Sequence, residues 1–272
     1  MAAATTAQTP GTVELQNVGK AFVGRTTQRQ EWAIRHVTFS VEAGEFFVLL
    51  GPSGCGKSTL LRVIAGVIAP MEGRIFIAHD GQAAPWPGLG MVFQSIDSPL
   101  FDWLTARENV EFGLWLRSLG RAQRAERARH FLTLVGLGGH AHKFPHEMSG
   151  GMKQRLQIAR ALATEPSILL MDEPFASVDA QTRRILQNEV QRLWLETRKT
   201  ILYVTHDIRE ALILGQRIAV MTAGPTATIA RIYEQKMPYP RDDLDPDFSA
   251  RFRVLEAHIA GEVSKGWGEP SP

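Results

Sequence analysis

Apolar and polar residues follow two different rhythms along the chain. Near the N-terminus, Val13–Val18 and Ile34–Val41 alternate at every second position, which is typical of half-buried strands. Farther along, nearly continuous apolar runs predict buried strands: Phe46–Leu50, Leu89–Phe93, Ser167–Asp172, Thr200–Thr205 and Arg217–Met221. Shorter runs, Arg74–Ile77 and Ala227–Ile232, also indicate strands. The pattern predicts an α/β fold in which antiparallel strands precede the first strand–helix unit.

Helical spacing of apolar residues occupies most of the middle of the chain. We predict helices at Ala106–Arg117, Ala122–Val135, after Ser149, at Ala180–Glu196, Ile208–Leu214 and Phe248–Ile259. Because residues from about 97 to 165 are mainly helical, we expect a helical subdomain inserted into an α/β domain that spans residues 12–240. Residues 1–11 are expected to form a disordered tail, and residues 241–272 a C-terminal extension whose last residues are disordered.

Size and composition exclude some classes of protein without identifying a function. The chain has 272 residues, of which 44% are hydrophobic, and a formal net charge of +2. This size supports a large core, and the near balance of charge does not suggest a nucleic-acid partner. A single cysteine forms no internal disulfide, which suits a reducing compartment. No apolar run approaches 18 residues, and Met1–Pro10 lacks the features of a secretory signal, so we expect neither a membrane span nor a leader.

The strongest motif follows the buried strand Phe46–Leu50. Its nine residues fit the phosphate-loop pattern G-x-x-x-x-G-K-[ST]: Gly51, Pro52, Ser53, Gly54, Cys55, Gly56, Lys57, Ser58 and Thr59. A helix is predicted directly after them, and the glycines allow backbone N–H groups to turn toward phosphate oxygens. We expect Lys57 to reach the β- and γ-phosphates of a nucleotide and the Ser58 hydroxyl to hold Mg²⁺.

Carboxylates and a histidine stand where two other predicted strands end. Asp172 and Glu173 follow one apolar run, and adjacent carboxylates at a strand end are costly unless a cation or water meets them. Asp172 suits Mg²⁺ through its water shell, and Glu173 suits the positioning or deprotonation of an attacking water. His206 follows the strand Thr200–Thr205, at the edge where open α/β sheets bind their ligands.

Three features have two readings each. Ser149, Gly150, Gly151 and Met152 precede a helix, either as an ordinary N-cap and turn or as a second anion-binding terminus. Cys55 is either a small packing residue or a reactive thiol whose alkylation would block nucleotide binding. The basic helix with Arg121, Arg124, Arg127 and Arg129 has either a solvated face or a contact with anionic lipid headgroups.

Taken in order, these motifs resemble the nucleotide-binding subunit of ABC transporters, and the resemblance covers roughly residues 12–235. It implies that Phe22 stacks on adenine, that Gly51–Thr59 is Walker A and that Gln94 senses Mg²⁺ and the attacking water. It further implies that Ser149, Gly150, Gly151 and Met152 belong to the signature motif, Asp172 and Glu173 to Walker B, and Asp179 to the D-loop. His206 is then the switch histidine that contacts the γ-phosphate.

The resemblance also implies partners. Two such subunits pack head to tail, so that the Ser149 loop of one closes over ATP on the Lys57 loop of the other, and we expect a homodimer. The Leu100–Leu104 stretch, with Phe101 and Trp103, would receive a coupling helix from a membrane permease, although both aromatic residues could instead belong to the core. A solute-binding protein would act indirectly, and the chain would sit in the cytoplasm on the inner face of the plasma membrane.

Finer similarity indicates an importer branch for nitrate, alkylsulfonate and taurine-like anions. It rests on Phe144–Met152, Asp172–Phe175 and Asp242–Pro246, whereas Met148, Lys153 and Val178 depart from the residues that are common in the family. The expected activity is Mg²⁺-dependent ATP hydrolysis. Two rival functions stay open: a soluble ABC-type ATPase that acts on ribosomes or DNA, and a regulatory nucleotide switch without catalysis.

Overall fold

A computed structural model describes residues 10–24, 29–79, 82–83, 88–94, 100–241, 243 and 246–267. Its strands are β1 (Thr12–Val23), β2 (Gln30–Val41), β3 (Phe46–Leu50), β4 (Glu72–His79), β5 (Gln82–Ala83), β6 (Leu89–Val92), β7 (Ile168–Asp172), β8 (Thr200–Thr205), β9 (Arg217–Met221) and β10 (Ile229–Glu234). Its α-helices are α1 (Lys57–Ile64), α2 (Ala106–Leu116), α3 (Arg121–Leu134), α4 (Gly150–Ala163), α5 (Ala180–Thr197), α6 (Ile208–Leu214) and α7 (Pro246–Trp267). Two short 3₁₀ turns, Gly138–His140 and Pro145–Glu147, precede α4.

The described chain divides into two compact units. We call residues 10–87 with 199–272 the P-loop unit, and residues 88–198 the helical unit. The helices predicted for residues 97–165 all lie in the helical unit, together with β6, β7 and α5. The inserted helical subdomain with those narrower bounds stays a prediction.

The P-loop unit contains two groups of paired strands. One is antiparallel, in the order β2-β1-β4-β5. In the other, β3 pairs in parallel with both β8 and β9, and β10 pairs with β9 in the antiparallel direction. All residues of β3 and β8 are buried, as expected for strands whose two faces are covered. The α/β class, with an antiparallel portion before the first strand–helix unit, is confirmed.

The helical unit packs three helices, α2, α3 and α4, against one another beside the parallel pair β6 and β7. Helix α2 begins with a capping box in which the Thr105 hydroxyl accepts from the Glu108 N–H and the Glu108 carboxylate accepts from the Thr105 N–H. Three arginines of α3 make contacts within the protein. Arg124 donates to the Leu119 carbonyl, Arg127 pairs with Glu165 at 2.9 Å, and Arg129 lies 3.6 Å from Glu126. These contacts favour the reading of α3 as an ordinary solvated helix over a lipid-binding one.

Most predicted boundaries agree with the structure to within two residues, but the predicted end of β1 at Val18 and start of β2 at Ile34 were wrong. Pairing between the two strands continues to Val23 and Gln30. Ala227, predicted as the first residue of the last strand, instead bonds through its backbone to Ala33 and Arg35, so β10 begins at Ile229. The prediction that the last helix ends at Ile259 was wrong, because α7 continues to Trp267. Gly11, placed in the predicted tail, is buried, and its carbonyl accepts from the Thr200 hydroxyl.

Other predictions fall on residues outside those described: the tail before Pro10, the chain end after Trp267, the proline-rich stretch at residues 84–87 and most of Asp242–Pro246. Among the described helices, none is long and apolar enough to cross a bilayer.

Candidate functional site

The phosphate loop connects β3 to α1, and its conformation requires glycine at two positions. Gly54 and Gly56 have φ of +80° and +92°, the left-handed region that a side chain disfavours. A β-carbon at Gly56 would lie 2.6 Å from Cγ2 of Ile34 and 3.0 Å from the carbonyl oxygen of Ala33. Gly56 is also the N-cap of α1 and has no side chain to accept the free N–H groups there. The first turn of α1 therefore presents backbone donors of the kind that bind phosphate.

Lys57 is directed into this loop. Its ammonium group donates to the carbonyl oxygens of Gly51 and Pro52, each at 2.8 Å, and the residue is only 5% exposed. Both partners are neutral carbonyls, and they keep the positive charge of the buried ammonium close to the loop. This is the charge that a triphosphate would meet.

Cys55 belongs to the wall of the loop. It is 1% exposed, and a β-carbon at Gly51 would lie 2.9 Å from its sulfur. Such close packing and low exposure favour the reading of Cys55 as a packing residue over the reading as a reactive thiol.

A cavity of about 520 Å³ lies beside the phosphate loop in the P-loop unit. Phe22, which is 46% exposed on β1, lines it together with Pro52, Ser53 and Gly54. The structure thus brings the predicted base-stacking residue and the predicted phosphate loop to one cavity, whose volume lies within the range of small-molecule sites.

Trp32 and Val263 are among the residues that line this cavity and were not predicted from the sequence. Trp32, on β2, stands opposite Ala21, the residue before Phe22, and Trp32 and Phe22 both line the cavity. The Arg35 guanidinium covers the indole at 4.4 Å from the ring centroid. Val263 comes from α7, in the part of that helix that lies beyond the predicted helix end at Ile259. The predicted strand began at Ile34, so the sequence pattern neither placed Trp32 in a strand nor connected it with Phe22.

His206 lies at the same edge of the P-loop unit as the phosphate loop. Leu50 pairs with Thr205 at the end of the parallel ladder, so Gly51 and His206 are the next residues of neighbouring strands. The turn at His206 is fixed by a buried carboxylate, since Glu210 accepts from the hydroxyls of Tyr203 and Thr205 at 3.0 and 2.6 Å. Glu210 is 6% exposed and was not predicted, because a glutamate on a short helix usually faces solvent.

In the helical unit, β6 and β7 bring three predicted residues to one edge. Val92 pairs with Met171, so Gln94 and Glu173 each follow that pair by two residues, and Asp172 ends β7 with 1% exposure. The Gln94 side chain donates to the Glu173 carboxylate at 3.3 Å. Glu173 has a φ of +44°, which is uncommon for a residue with a side chain and often marks a functional site.

The predicted signature residues form the N-terminus of α4. The Ser149 hydroxyl accepts from the Met152 N–H at 3.3 Å, and Ser149 and Gly150 are exposed. A β-carbon at Gly151 would lie 3.4 Å from the Ser177 carbonyl oxygen, so the loop before α5 lies close to this terminus. Asp179 is the N-cap of α5, where the N–H of Thr182 donates to its carboxylate and lowers its pKa. Both readings of Ser149 are compatible with this geometry, since the cap is made and the helix end stays open to a ligand.

Two buried amides connect these segments with their surroundings. Gln154, on α4, donates to the carbonyl oxygen of Phe93, the residue before Gln94, at 3.4 Å. Asn109, on α2, is fully buried and bonds the backbone of Phe101 through both its oxygen and its nitrogen. The Phe101 loop is therefore held firmly while its neighbour Trp103 stays 74% exposed. That exposure rules out a core role for Trp103.

Comparison with known proteins identifies the family. The sequence profile described as ABC transporter matches residues 34–176, which is more than half of the chain. The chain belongs to the ABC transporter family. It is the ATP-binding, ATP-hydrolysing subunit of such a transporter.

Individual relatives of this ABC transporter subunit agree with the family assignment. It is 42% identical over 236 residues to the nitrate import ATP-binding protein NrtD of Synechocystis sp., covering 86% of this chain and 85% of the relative. It is 39% identical over 251 residues to the aliphatic sulfonates import ATP-binding protein SsuB of Bacillus cereus, covering 92% and 97%.

A solved structure shares the fold of this ABC transporter subunit. It is a dimeric post-hydrolysis state of the ATP-binding cassette MJ0796, bound to ADP and Pi. The TM-score is 0.73 at 32% sequence identity, and the match covers 83% of this chain and all of that one. The similarity confirms the predicted ABC ATPase fold.

Proposed function

We propose that this subunit powers the uptake of a small anion, of the nitrate, alkylsulfonate or taurine-like class, through a separate membrane permease. The observation that carries the nucleotide part is the cavity that Phe22 and the phosphate loop share. The anion class is supported by the names of relatives that match almost the whole chain, one for nitrate and one for aliphatic sulfonates. The solute itself would be selected by other subunits.

In the proposed reaction, water attacks the γ-phosphorus of ATP in line with the bond to the β–γ bridging oxygen. There is little covalent chemistry for the protein to perform, so catalysis consists of positioning and charge neutralisation. Lys57 and His206 would neutralise the phosphoryl oxygens. Glu173 would accept a proton from the water, or orient it, and the hydrogen bond from Gln94 would hold that carboxylate in place.

We propose Mg²⁺ as the metal cofactor, held by Ser58, Gln94 and Asp172. All three side chains offer oxygen donors, which suit a hard cation. Proteins usually bind Mg²⁺ through one or two carboxylates together with substrate phosphates, and Asp172 would supply the carboxylate. When bound, the ion would neutralise charge on the β- and γ-phosphates.

The second copy of the chain is proposed to complete the site. Ser149, Gly150, Gly151 and Met152 form an exposed helix N-terminus, whose N–H groups and dipole favour an anion. The solved relative is a dimer in a nucleotide-bound state. We therefore propose a homodimer in which this terminus of one subunit meets the ATP on the other, with Asp179 in the neighbouring loop.

A permease is proposed to dock on an aromatic patch of the helical unit, made of Phe101, Trp103, Phe112 and Trp115. Their rings lie in a chain, with centroids 5.3, 4.7 and 5.9 Å apart. Trp103 and Trp115 are 74% and 58% exposed, and the Arg160 guanidinium lies 5.7 Å from the Phe101 ring. Exposed aromatic clusters with a neighbouring arginine are typical of protein interfaces. Docking there would place the subunit on the inner face of the plasma membrane.

The test is recovery of the partner. Tagged Glu173→Gln protein is incubated with Mg²⁺ and ATP, and the proteins that co-purify from detergent-solubilised native membranes are identified. We expect a multi-span permease, its loss with Trp103→Ala, and its retention with Phe76→Ala, a control at an aromatic residue that is 43% exposed in the other unit. Recovery with ribosomes or nucleic acid alone would refute the transport proposal. ATP binding by the unsubstituted chain without multiple-turnover phosphate release would instead indicate a regulatory switch.

A further inference from the structure

The C-terminal helix α7 reaches the cavity beside the phosphate loop. We propose that α7 is part of the nucleotide site and that Val263 forms an apolar wall for the base and ribose of ATP. This inference rests on the proposed nucleotide function of the cavity and assigns a role to the C-terminal extension.

The chemistry of Val263 determines which part of a nucleotide it would contact. Its side chain lines the cavity with Phe22 and with Pro52, Ser53 and Gly54 of the phosphate loop. An isopropyl group offers phosphate oxygens neither a charge nor a donor, whereas it gains by covering the apolar face of a base or the carbon face of a ribose. The phosphate loop supplies the polar end of the cavity, so Phe22 and Val263 supply apolar surface for the remainder of the ligand.

The position of α7 is fixed by a stripe of buried residues. Phe248, Leu255 and Glu262 follow one another at intervals of seven residues, and they are 2%, 2% and 4% exposed. Residues seven apart lie on nearly the same face of a helix, and α7 packs against α6 in the same unit. Val263 directly follows the last of these anchors, so its Cα position is set by the packing of the whole helix.

The buried carboxylate of Glu262 is paired. Lys265 donates to its Oε1 at 2.6 Å, and His258 Nε2 lies 3.9 Å from the same oxygen. The other ring nitrogen of His258 is hydrogen bonded to the Tyr233 hydroxyl of β10 at 2.8 Å. These contacts fix the turn of α7 that precedes the cavity wall. Rigid placement of this kind lets one apolar side chain contribute to affinity without a cost of ordering.

The experiment compares two substitutions and two ligands. Val263→Trp is made in a Glu173→Gln background to prevent turnover, and binding of MgATP and of magnesium tripolyphosphate is measured by calorimetry. Tripolyphosphate carries the phosphates but has no base or ribose. Val254→Trp is the matched control, because Val254 is 54% exposed and nine residues earlier, which places it about 180° around the helix.

We expect Val263→Trp to weaken ATP binding by about tenfold or more, the effect of losing one well-packed apolar contact and obstructing the base. Tripolyphosphate affinity should stay within about twofold, which would also show that the variant is folded, and Val254→Trp should leave both affinities unchanged. The milder Val263→Ala should weaken ATP alone by a smaller factor. Unchanged ATP affinity in Val263→Trp, or an equal loss for both ligands, would overturn the role of Val263. Failure of the unsubstituted protein to bind ATP at all would overturn the nucleotide function itself.

Discussion

The Gln94 side-chain amide donates to the Glu173 carboxylate, with 3.3 Å between Nε2 and Oε2. The two residues follow neighbouring parallel strands, and Glu173 adopts a left-handed backbone conformation with a φ of +44°. A residue with a side chain adopts that conformation at a cost of about 1–3 kcal/mol, which its surroundings must offset. The protein therefore keeps the orientation of the Glu173 carboxylate despite the cost in stability, as expected of a functional residue.

Replacement of Glu173 by glutamine should separate binding from hydrolysis. The amide keeps the size of the side chain but cannot accept a proton, so we expect ATP to bind normally and turnover to fall at least about a hundredfold. Multiple-turnover phosphate release measures the loss. Glu196→Gln, at a carboxylate that is 66% exposed near the end of α5, is the control and should hydrolyse ATP at the unsubstituted rate. Near-normal turnover in Glu173→Gln would refute the assignment.

Lys57→Ala should act on binding itself. Lys57 is the ammonium group that the loop carbonyls of Gly51 and Pro52 hold in place, and its removal leaves the γ-phosphate without that charge. Because hydrogen bonds to charged groups contribute about 1.5–3 kcal/mol, ATP affinity should fall by about ten- to a hundredfold. Calorimetric titration with ATP tests this. Lys236→Ala, at a side chain that is 78% exposed, should bind as tightly as the unsubstituted protein. Equal affinity in the two variants would contradict the phosphate role.

Arg241 should be important for stability. Its guanidinium is buried and donates to the carbonyl oxygens of Leu212, Gly215, Gln235 and Met237, so it closes the C-terminal end of α6. Burial lowers the pKa of Arg241 to about 10, so the group remains charged at neutral pH. Arg241→Ala leaves several buried acceptors unsatisfied, and we expect a loss of about 2–4 kcal/mol in the free energy of unfolding.

Urea unfolding followed by circular dichroism measures this loss. Arg241→Lys keeps the charge but cannot reach as many carbonyls, so its loss should be intermediate. Arg253→Ala, at an exposed position of α7, should unfold at the same urea concentration as the unsubstituted protein. If Arg241→Ala also does so, the four carbonyl contacts do not contribute to stability.

The capping box of α2 should make stability depend on pH. Hydrogen bonds from the hydroxyl and N–H of Thr105 hold the pKa of Glu108 below its usual value of 4.5. A carboxyl group whose pKa is lower in the folded state stabilises fully above its unfolded pKa, and this contribution is lost as the pH falls through the folded pKa. Glu108→Gln should therefore be less stable than the unsubstituted protein at pH 7, and the difference should shrink below pH 4.

Urea unfolding at pH 7 and at successively lower pH gives this difference directly. Glu126→Gln is the control, because that carboxylate is 76% exposed and its substitution should not alter the pH dependence. A difference between Glu108→Gln and the unsubstituted protein that stays constant with pH would show that the carboxylate charge is not the source of stability.

The sequence predicted those parts of the fold for which two signals agree. The phosphate-loop strand and the helix α6 have the predicted bounds, because the apolar run of the strand ends at a glycine loop and α6 begins directly after its capping residue Asp207. The end of α7 was missed because Gly261 and Gly266 lower helix propensity. The hydrogen bond from Lys265 to Glu262 within α7 and the packing of α7 against α6 override that preference.

The sequence identified the residues of the candidate site but not their arrangement in space. Composition and spacing single out Glu173, yet no local signal reveals its positive φ or its hydrogen bond with Gln94, since both depend on the register of β6 and β7. In the same way, Trp32 lines the cavity as part of β2, whose pairing with β1 extends beyond the predicted strand start at Ile34. Contacts between residues far apart in the chain leave no periodic pattern in the sequence from which they could be predicted.

The fold itself requires Gly56, whether or not the phosphate loop binds a nucleotide. A β-carbon there would lie 2.6 Å from Cγ2 of Ile34 and 3.0 Å from the carbonyl oxygen of Ala33, and the φ of +92° disfavours a side chain, so any other residue at this position would strain the fold. A descendant of this chain that lost its nucleotide would still be selected to keep Gly56 for as long as β2 stayed in place. Conservation of Gly56 in such a descendant would therefore indicate only that the fold is kept. Loss of Lys57 would be the change that indicates loss of nucleotide binding.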